Sequence, residues 1–217
     1  MAKKQHFNLR WKIAQWAEIR WWKRYLSEKM PEDYLAQKAA YWQRVMKELG
    51  IAVPPGSTVL DAGCGPAGIF MVLDGAAVTA VDPLLERYQA LPHFQPARYT
   101  GATFRQMALE DLSEEAMYDY VFCLNVINHV ADMPLALLRL RQALKPDGTC
   151  WLSVDAHHYP ILQPVFAAIP GDVLHPHQHT LPQYETQVKR AGFSILRRQL
   201  LKPGGLFDYW VFELKKA

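Results

Sequence analysis

Apolar residues fall into two periodicities along this chain. From residue 58 onward they come as short runs bounded by glycine, proline and polar clusters, the pattern of strands. Such runs begin at 58, leading into a glycine-rich turn, and recur at 76–81, 101–106, 118–124, 149–155, 193–200 and 207–214. The run 118–124 is nearly continuous in apolar character, as expected of a parallel strand covered on both faces. Helical spacing fills the intervals. It runs from Pro83, which suits a first helical turn, to about residue 91, then over 133–144 with Leu135, Leu138 and Leu140, then over 181–191 ahead of Gly192. The alternation predicts an α/β fold: a doubly wound, seven-stranded, mostly parallel sheet whose last strand is antiparallel, closed by a hairpin around Lys202-Pro203-Gly204-Gly205.

Ahead of the sheet, residues 8–49 read as two helical pieces broken at Met30-Pro31, because proline pushes its predecessor out of the helical region. In the first piece Trp11, Ala14, Ile19, Trp21, Trp22, Tyr25 and Leu26 share one side, interrupted by Gln15 and Glu18; Lys12, Arg20, Lys23 and Arg24 take the other. Two readings stay open for this piece. It touches a membrane surface or forms a lid over an apolar substrate, or its aromatics simply pack on the domain. Pro54-Pro55-Gly56 is a hinge, so the chain divides into an N-terminal helical extension, 1–53, and one domain, 54–217.

Within 58–82 the chemistry concentrates. A strand runs into glycines at Gly63, Gly65 and Gly68, a short helix is expected after them, and a second strand ends at Asp82, seventeen residues after Gly65. Glycine is needed where a chain turns sharply and a ligand rests on its backbone, and an acid at the second strand's tip suits ribose hydroxyls. This is half a nucleotide-binding unit, used by dinucleotides and by S-adenosylmethionine. Asp61 favours the second. A carboxylate near a pyrophosphate is repelled, by about 4 kcal/mol per unit-charge pair at 4 Å with an effective dielectric near 20, whereas an ammonium and a sulfonium attract it. The alternative is that Asp61 turns away and bonds the loop backbone.

The stretch Val59-Leu60-Asp61-Ala62-Gly63-Cys64-Gly65-Pro66-Ala67-Gly68 resembles the first motif of the Rossmann-like S-adenosylmethionine-dependent methyltransferases, with the glycine register shifted by one at Ala67 and Gly68. The resemblance extends over roughly 57–216, through the strand at 118–124 with Asn125-Val126-Ile127-Asn128-His129-Val130 after it, and through Leu144-Lys145-Pro146-Asp147-Gly148. It implies methyl transfer to an oxygen, nitrogen or carbon nucleophile of a small-molecule acceptor, with S-adenosylhomocysteine as product. It also implies cofactor contacts from Asp61, Gly63, Cys64, Gly65, Asp82, Pro83, Leu109, Glu110, Asn125 and Val126. Glu110 would read the adenine amine, or else be a solvated turn residue with Asp111. His129 would take a proton from the acceptor, or else order its loop. A non-catalytic cofactor-binding protein and, with no second nucleotide-binding half in view, a nicotinamide-dependent oxidoreductase are the alternatives.

The connection 156–179 is far longer than usual, and long connections tend to be functional. It predicts a substrate lid in which His157, His158, Tyr159, His175 and His177, with Phe166, meet the acceptor, beside Asn128 of the loop after the strand at 118–124. The His-x-His-x-His spacing at 175–179 raises a metal site, but no cysteine or glutamate clusters beside it, so no metal is expected. Net charge of +3 is too small to imply nucleic-acid binding. Half the residues are hydrophobic, yet no run reaches the roughly 20 residues of a membrane span, and the N-terminus lacks a signal-peptide apolar region. A cytoplasmic location follows, membrane-peripheral if the first helix binds lipid. Cys64, Cys123 and Cys150 read as small buried residues.

Overall fold

The computed structural model describes residues 9–158 and 179–217, with side chains from Ile13 onward. Strands β1 (Thr58–Ala62), β2 (Ala77–Asp82), β3 (Ala102–Gln106), β4 (Tyr118–Cys123), β5 (Leu144–His157), β6 (Phe193–Lys202) and β7 (Phe207–Lys216) form one seven-stranded sheet in the order β3-β2-β1-β4-β5-β7-β6. β1 to β5 pair in parallel, and β7 runs antiparallel to both β5 and β6. The chain leaves β1 toward one edge and returns through β4 toward the other. A crevice therefore opens above the carboxyl ends of β1 and β4, where open α/β sheets bind ligands.

Period-2 alternation splits the sheet residues between two cores. Val59, Val78, Ala80, Phe122 and Trp151 join one cluster with Ile19, Leu26, Leu35, Trp42 and Leu49 of the N-terminal helices α1 (Leu9–Ser27) and α2 (Pro31–Leu49). Leu60, Val81, Val121, Cys123, Leu152 and Phe212 join the other, under α4 (Met133–Ala143) and α5 (Leu181–Arg190). Because β4 is covered on both sides, Val121, Phe122 and Cys123 are fully buried, and its unbroken apolar run follows from that. α2 starts at Pro31, carries Glu32 and Asp33 in its first turn and ends where Gly50 takes φ +64°.

Three elements differ from the expectation drawn from the pattern. After the glycine turn, Ile69–Val72 make a single 3-10 turn rather than an α-helix, because Gly75, at φ +79°, turns the chain into β2 too soon after Gly68 for a longer helix. The helix expected over 83–91 shrinks to α3 (Leu85–Tyr88), since Pro92 disfavours helical backbone at Leu91. The Leu-Lys-Pro-Asp-Gly segment lies within β5 as a bulge: Tyr118 faces Leu144 while Tyr120 faces Thr149.

Candidate active site

A cavity of about 650 Å³ opens at the crevice. Its floor is the glycine turn, where Gly63 and Gly65 sit at φ +79° and +57°, conformations that penalise any side chain. A Cβ on Gly63 would also strike Val126, so the turns after β1 and β4 pack directly together. Gly68 has ordinary backbone at φ −82°, yet a Cβ there would lie 2.5 Å from Asp61 Oδ2 and nearer still to the Cys64 carbonyl. Despite the shifted register, Gly68 is thus a position of close backbone approach.

Two carboxylates hold this floor. Asp61 Oδ2 accepts the Phe70 N–H at 3.0 Å, so the alternative of bonding the loop backbone is realised while the residue still lines the cavity. Asp82 accepts from Gly65 N–H at 3.0 Å with Oδ2 and from Leu84 N–H at 2.8 Å with Oδ1, fastening the glycine turn to the tip of β2. Burial pushes Asp61 up to about 7, against the donated Phe70 N–H and with the Asp82 charge adding to the rise. Burial likewise pushes Asp82 up to about 6. Burial also raises the Cys64 thiol, so Cys64 is an inert part of the floor.

The wall from the 109–111 turn and the loop after β4 is similarly fastened. Glu110 is buried, not solvated, and its Oε1 accepts the N–H groups of Ala131 and Asp132 at 2.6 and 3.0 Å, ahead of α4. Burial raises its pKa as well. Asn125 adopts φ +62°, one of the few residue types that tolerate it, and its N–H donates to Ser153 Oγ at 2.6 Å. Pro83, Leu109, Glu110, Asn125, Val126 and His129 all line the cavity.

Three residues expected to meet the acceptor do not line the cavity. Asn128 is buried, and its Oδ1 accepts the Tyr184 hydroxyl of α5 at 2.8 Å. β5 extends as far as His157, so His157 and His158 belong to the β5–β7 region instead of a free loop. The His157 ring lies 4.4 Å from the Phe207 ring, and His158 Nε2 lies 2.9 Å from Asp208 Oδ2. Tyr159, Phe166, His175 and His177 fall outside the described residues. Among the described residues, no three His, Cys, Asp or Glu side chains gather to hold a metal ion.

Sequence reasoning left α1 open as a lid but assigned none of the residues of the opposite wall to the site. Gln15, Glu18, Trp21, Trp22 and Tyr25 of α1, Lys38, Tyr41 and Trp42 of α2, Asp155 of β5, Lys202 of β6 and Tyr209 of β7 line the same cavity. Trp42 Nε1 donates to the Ala67 carbonyl at 3.0 Å, so α2 is tied to the glycine turn itself. The Tyr209 hydroxyl donates to Ser153 Oγ at 2.9 Å, the oxygen that also receives Asn125 N–H. The polar interruptions of the α1 stripe, Gln15 and Glu18, were the available signal.

A family model described as a methyltransferase domain matches residues 34–198, and the chain belongs to that family. Among curated proteins it is 34% identical over 97 residues to a ubiquinone biosynthesis O-methyltransferase of Rickettsia prowazekii, covering 44% of this chain and 38% of that protein. It is 32% identical over 139 residues to the protein of the same name from Pseudomonas savastanoi pv. phaseolicola, covering 62% of this chain and 57% of the relative. The chain therefore spans less than two thirds of these relatives. Among solved structures, the Burkholderia thailandensis 1,6-didemethyltoxoflavin-N1-methyltransferase, with bound 1,6-didemethyltoxoflavin and S-adenosylhomocysteine, superposes with a TM-score of 0.65 at 19% identity, covering 100% of this chain and 92% of the other. That likeness concerns the fold. No helix among the described residues is long and apolar enough to cross a membrane.

Proposed function

We propose that this protein transfers the methyl group of S-adenosylmethionine to a nucleophile on a small-molecule acceptor and releases S-adenosylhomocysteine. The pair of buried carboxylates at the glycine turn carries this reading. Asp61 and Asp82 face the cavity with pKa values raised by burial, and no cation among the described residues acts to lower either. Such a floor attracts a ligand bearing an ammonium and a sulfonium and repels a pyrophosphate. The 3-10 turn after the glycines points the same way, because it lacks the α-helix N-terminus on which dinucleotide phosphates rest.

When bound, S-adenosylmethionine supplies an electrophilic methyl group; this chain's residues hold and align the partners. In this reading Asp82 receives ribose hydroxyls, Leu109 and Glu110 border the adenine, and the backbone from Gly63 to Gly65 with Asn125 and Val126 supports the remainder. Tyr41, Trp42 and Tyr209 form aromatic walls on the other side, with Lys38, Lys202 and Asp155 among them. These walls and the relatives' O-methyltransferase name favour an aromatic acceptor methylated on a hydroxyl. His129 then accepts the hydroxyl proton. His129→Gln should lower kcat by about 100-fold with cofactor affinity kept; unchanged kcat leaves it an ordering role. Calorimetric titration with S-adenosylmethionine, S-adenosylhomocysteine and NAD tests the whole reading. Binding of NAD and of neither sulfur compound overturns it.

The outer face of α1 favours a second element of the reading, contact with a membrane surface. Ile13 and Trp16 are 44% and 55% exposed, Arg20 lies 4.6 Å over the Trp16 ring, and Lys23 and Arg24 are exposed beside them. Tryptophan and cations on one helix face suit an anionic lipid interface. Co-sedimentation with phosphatidylglycerol vesicles should fall on Trp16→Ser with Arg20→Ser; equal sedimentation of variant and parent removes this element.

A further inference from the structure

α1 lies wholly outside the family match, which begins at residue 34, yet it presents a polar stripe to the cavity. Gln15, Glu18 and Trp22 are spaced at i, i+3 and i+7, one face of a helix. Gln15 is only 7% exposed and its side chain makes no hydrogen bond among the described residues. Glu18 forms no ion pair among the described residues. The Trp22 indole N–H is buried, close enough to Glu18 to favour its ionised form but outside hydrogen-bond geometry. Trp22 also covers the glycine turn, its ring being the nearest group to where a Cβ on Gly65 would sit, at 3.9 Å. Three polar groups lining one cavity without a hydrogen-bond partner among the described residues cost stability in the empty protein, and a ligand that satisfies them recovers that cost.

On the reading that S-adenosylmethionine occupies this cavity, we infer that Glu18 is a cofactor-binding and specificity-determining residue: its carboxylate, with Gln15 and Trp22 beside it, recognises the positive charge of the methyl donor and so separates donor from product. The donor carries a sulfonium and an ammonium, whereas the product is a neutral thioether with the ammonium alone. With Asp82 on the ribose, Glu18 and Asp61 present two carboxylates to two positive centres before transfer and to one after it. Loss of the sulfonium charge leaves Glu18 less well compensated and loosens the product.

The protonation of Glu18 fits that role. Burial pushes it up to about 8, with the charge of Asp82 adding to the rise. The groups that share its surroundings are Asp61 of β1, Cys64 of the glycine turn, Asp82 of β2, Tyr88 of α3 and Lys38 of α2. Near neutral pH Glu18 is largely protonated in the empty cavity, and the donor's charge favours its ionised form. Donor binding then releases a proton and tightens as pH rises toward about 8.

Calorimetric titration of the full chain with S-adenosylmethionine and with S-adenosylhomocysteine tests this, run in two buffers of different ionisation enthalpy and on both sides of the Glu18 titration. For Glu18→Gln the expected outcome is about tenfold weaker donor binding above that titration, a smaller change for the product, and loss of the proton release. Gln15→Leu should weaken both ligands alike. Equal weakening of donor and product by Glu18→Gln with proton release intact, or no change in either, overturns the inference. A matched circular dichroism spectrum and a cooperative thermal transition show that the variant is folded. Parent protein that binds neither ligand instead defeats the methyltransferase reading.

Discussion

The indole N–H of Trp42 reaches the carbonyl oxygen of Ala67 at 3.0 Å, so a helix lying before the sheet holds the cavity-facing turn within it. Trp42 is buried, and the Ala67 carbonyl has its partner only while α2 is docked. Trp42→Phe keeps most of the packing and deletes the donor. We expect a loss of about 1–2 kcal/mol in urea denaturation and weaker cofactor binding in calorimetry. Unchanged stability and affinity would show the turn to be held without α2.

Gly68 and Gly65 should fail in different ways. A Cβ on Gly68 enters the space of Asp61 Oδ2 and the Cys64 carbonyl, so Gly68→Ala must displace the Asp61 to Phe70 bond and should cost about 2 kcal/mol or more. Gly65 has open space around its Cβ direction, with Trp22 at 3.9 Å, and its penalty is the left-handed backbone, about 1–2 kcal/mol. Gly65→Ala should therefore lower Tm less than Gly68→Ala does, while still weakening cofactor binding. The reverse order in Tm would contradict the close approach at Gly68.

The cavity carboxyls give cofactor-free protein a pH dependence of definite sign. Burial raises Glu18, Asp61 and Asp82 to about 8, 7 and 6. In the unfolded chain such groups titrate near about 4, so between about pH 4 and 8 the folded state binds more protons and stability falls as pH rises. Tm should be higher at pH 6 than at pH 8, and Asp61→Asn should flatten the slope. A Tm that rises across this range would refute it. Asp119 acts oppositely at the far end of the sheet: Lys145, 2.8 Å away, and donated bonds from Thr58 hold it down at about 2. Its contribution is present above about pH 4 and is lost as pH falls toward 2.

Asn128 receives the Tyr184 hydroxyl inside the core and stands away from the cavity wall. Tyr184→Phe should cost about 1 kcal/mol, read as a shift in the urea midpoint, and leave the KM of an acceptor unchanged. A rise in KM without loss of stability would return Asn128 to the acceptor site.

Much of the fold was legible because its signals are local. The continuous apolar run of β4 reports burial on both faces, Pro31 and Gly50 mark the ends of α2, and the Lys202-Pro203-Gly204-Gly205 turn marks the final hairpin. Elements whose form depends on a distant partner were misjudged. The glycine turn is followed only by a 3-10 turn because the chain must turn into β2 at Gly75, whose carbonyl accepts the N–H of the distant Gly56. His157 and His158 looked like loop residues until β7 drew them alongside Phe207 and Asp208.

By itself the sequence determined the strand and helix alternation, the glycines at 63 and 65 and the acid at 82, since these follow from backbone sterics and periodicity within short stretches. Only the tertiary structure decided what faces what. It turned Asn128 inward, moved His157 and His158 away from the cavity, and brought Gln15, Glu18 and Trp42 onto the same cavity as Asp61 and Asp82. The physical reason is that a stripe of aromatic residues broken by two polar ones satisfies the same helical pattern whether the breaks meet water or a binding site. Which they meet is set by the docking of α1 and α2 over a crevice whose position depends on the order of strands in the sheet.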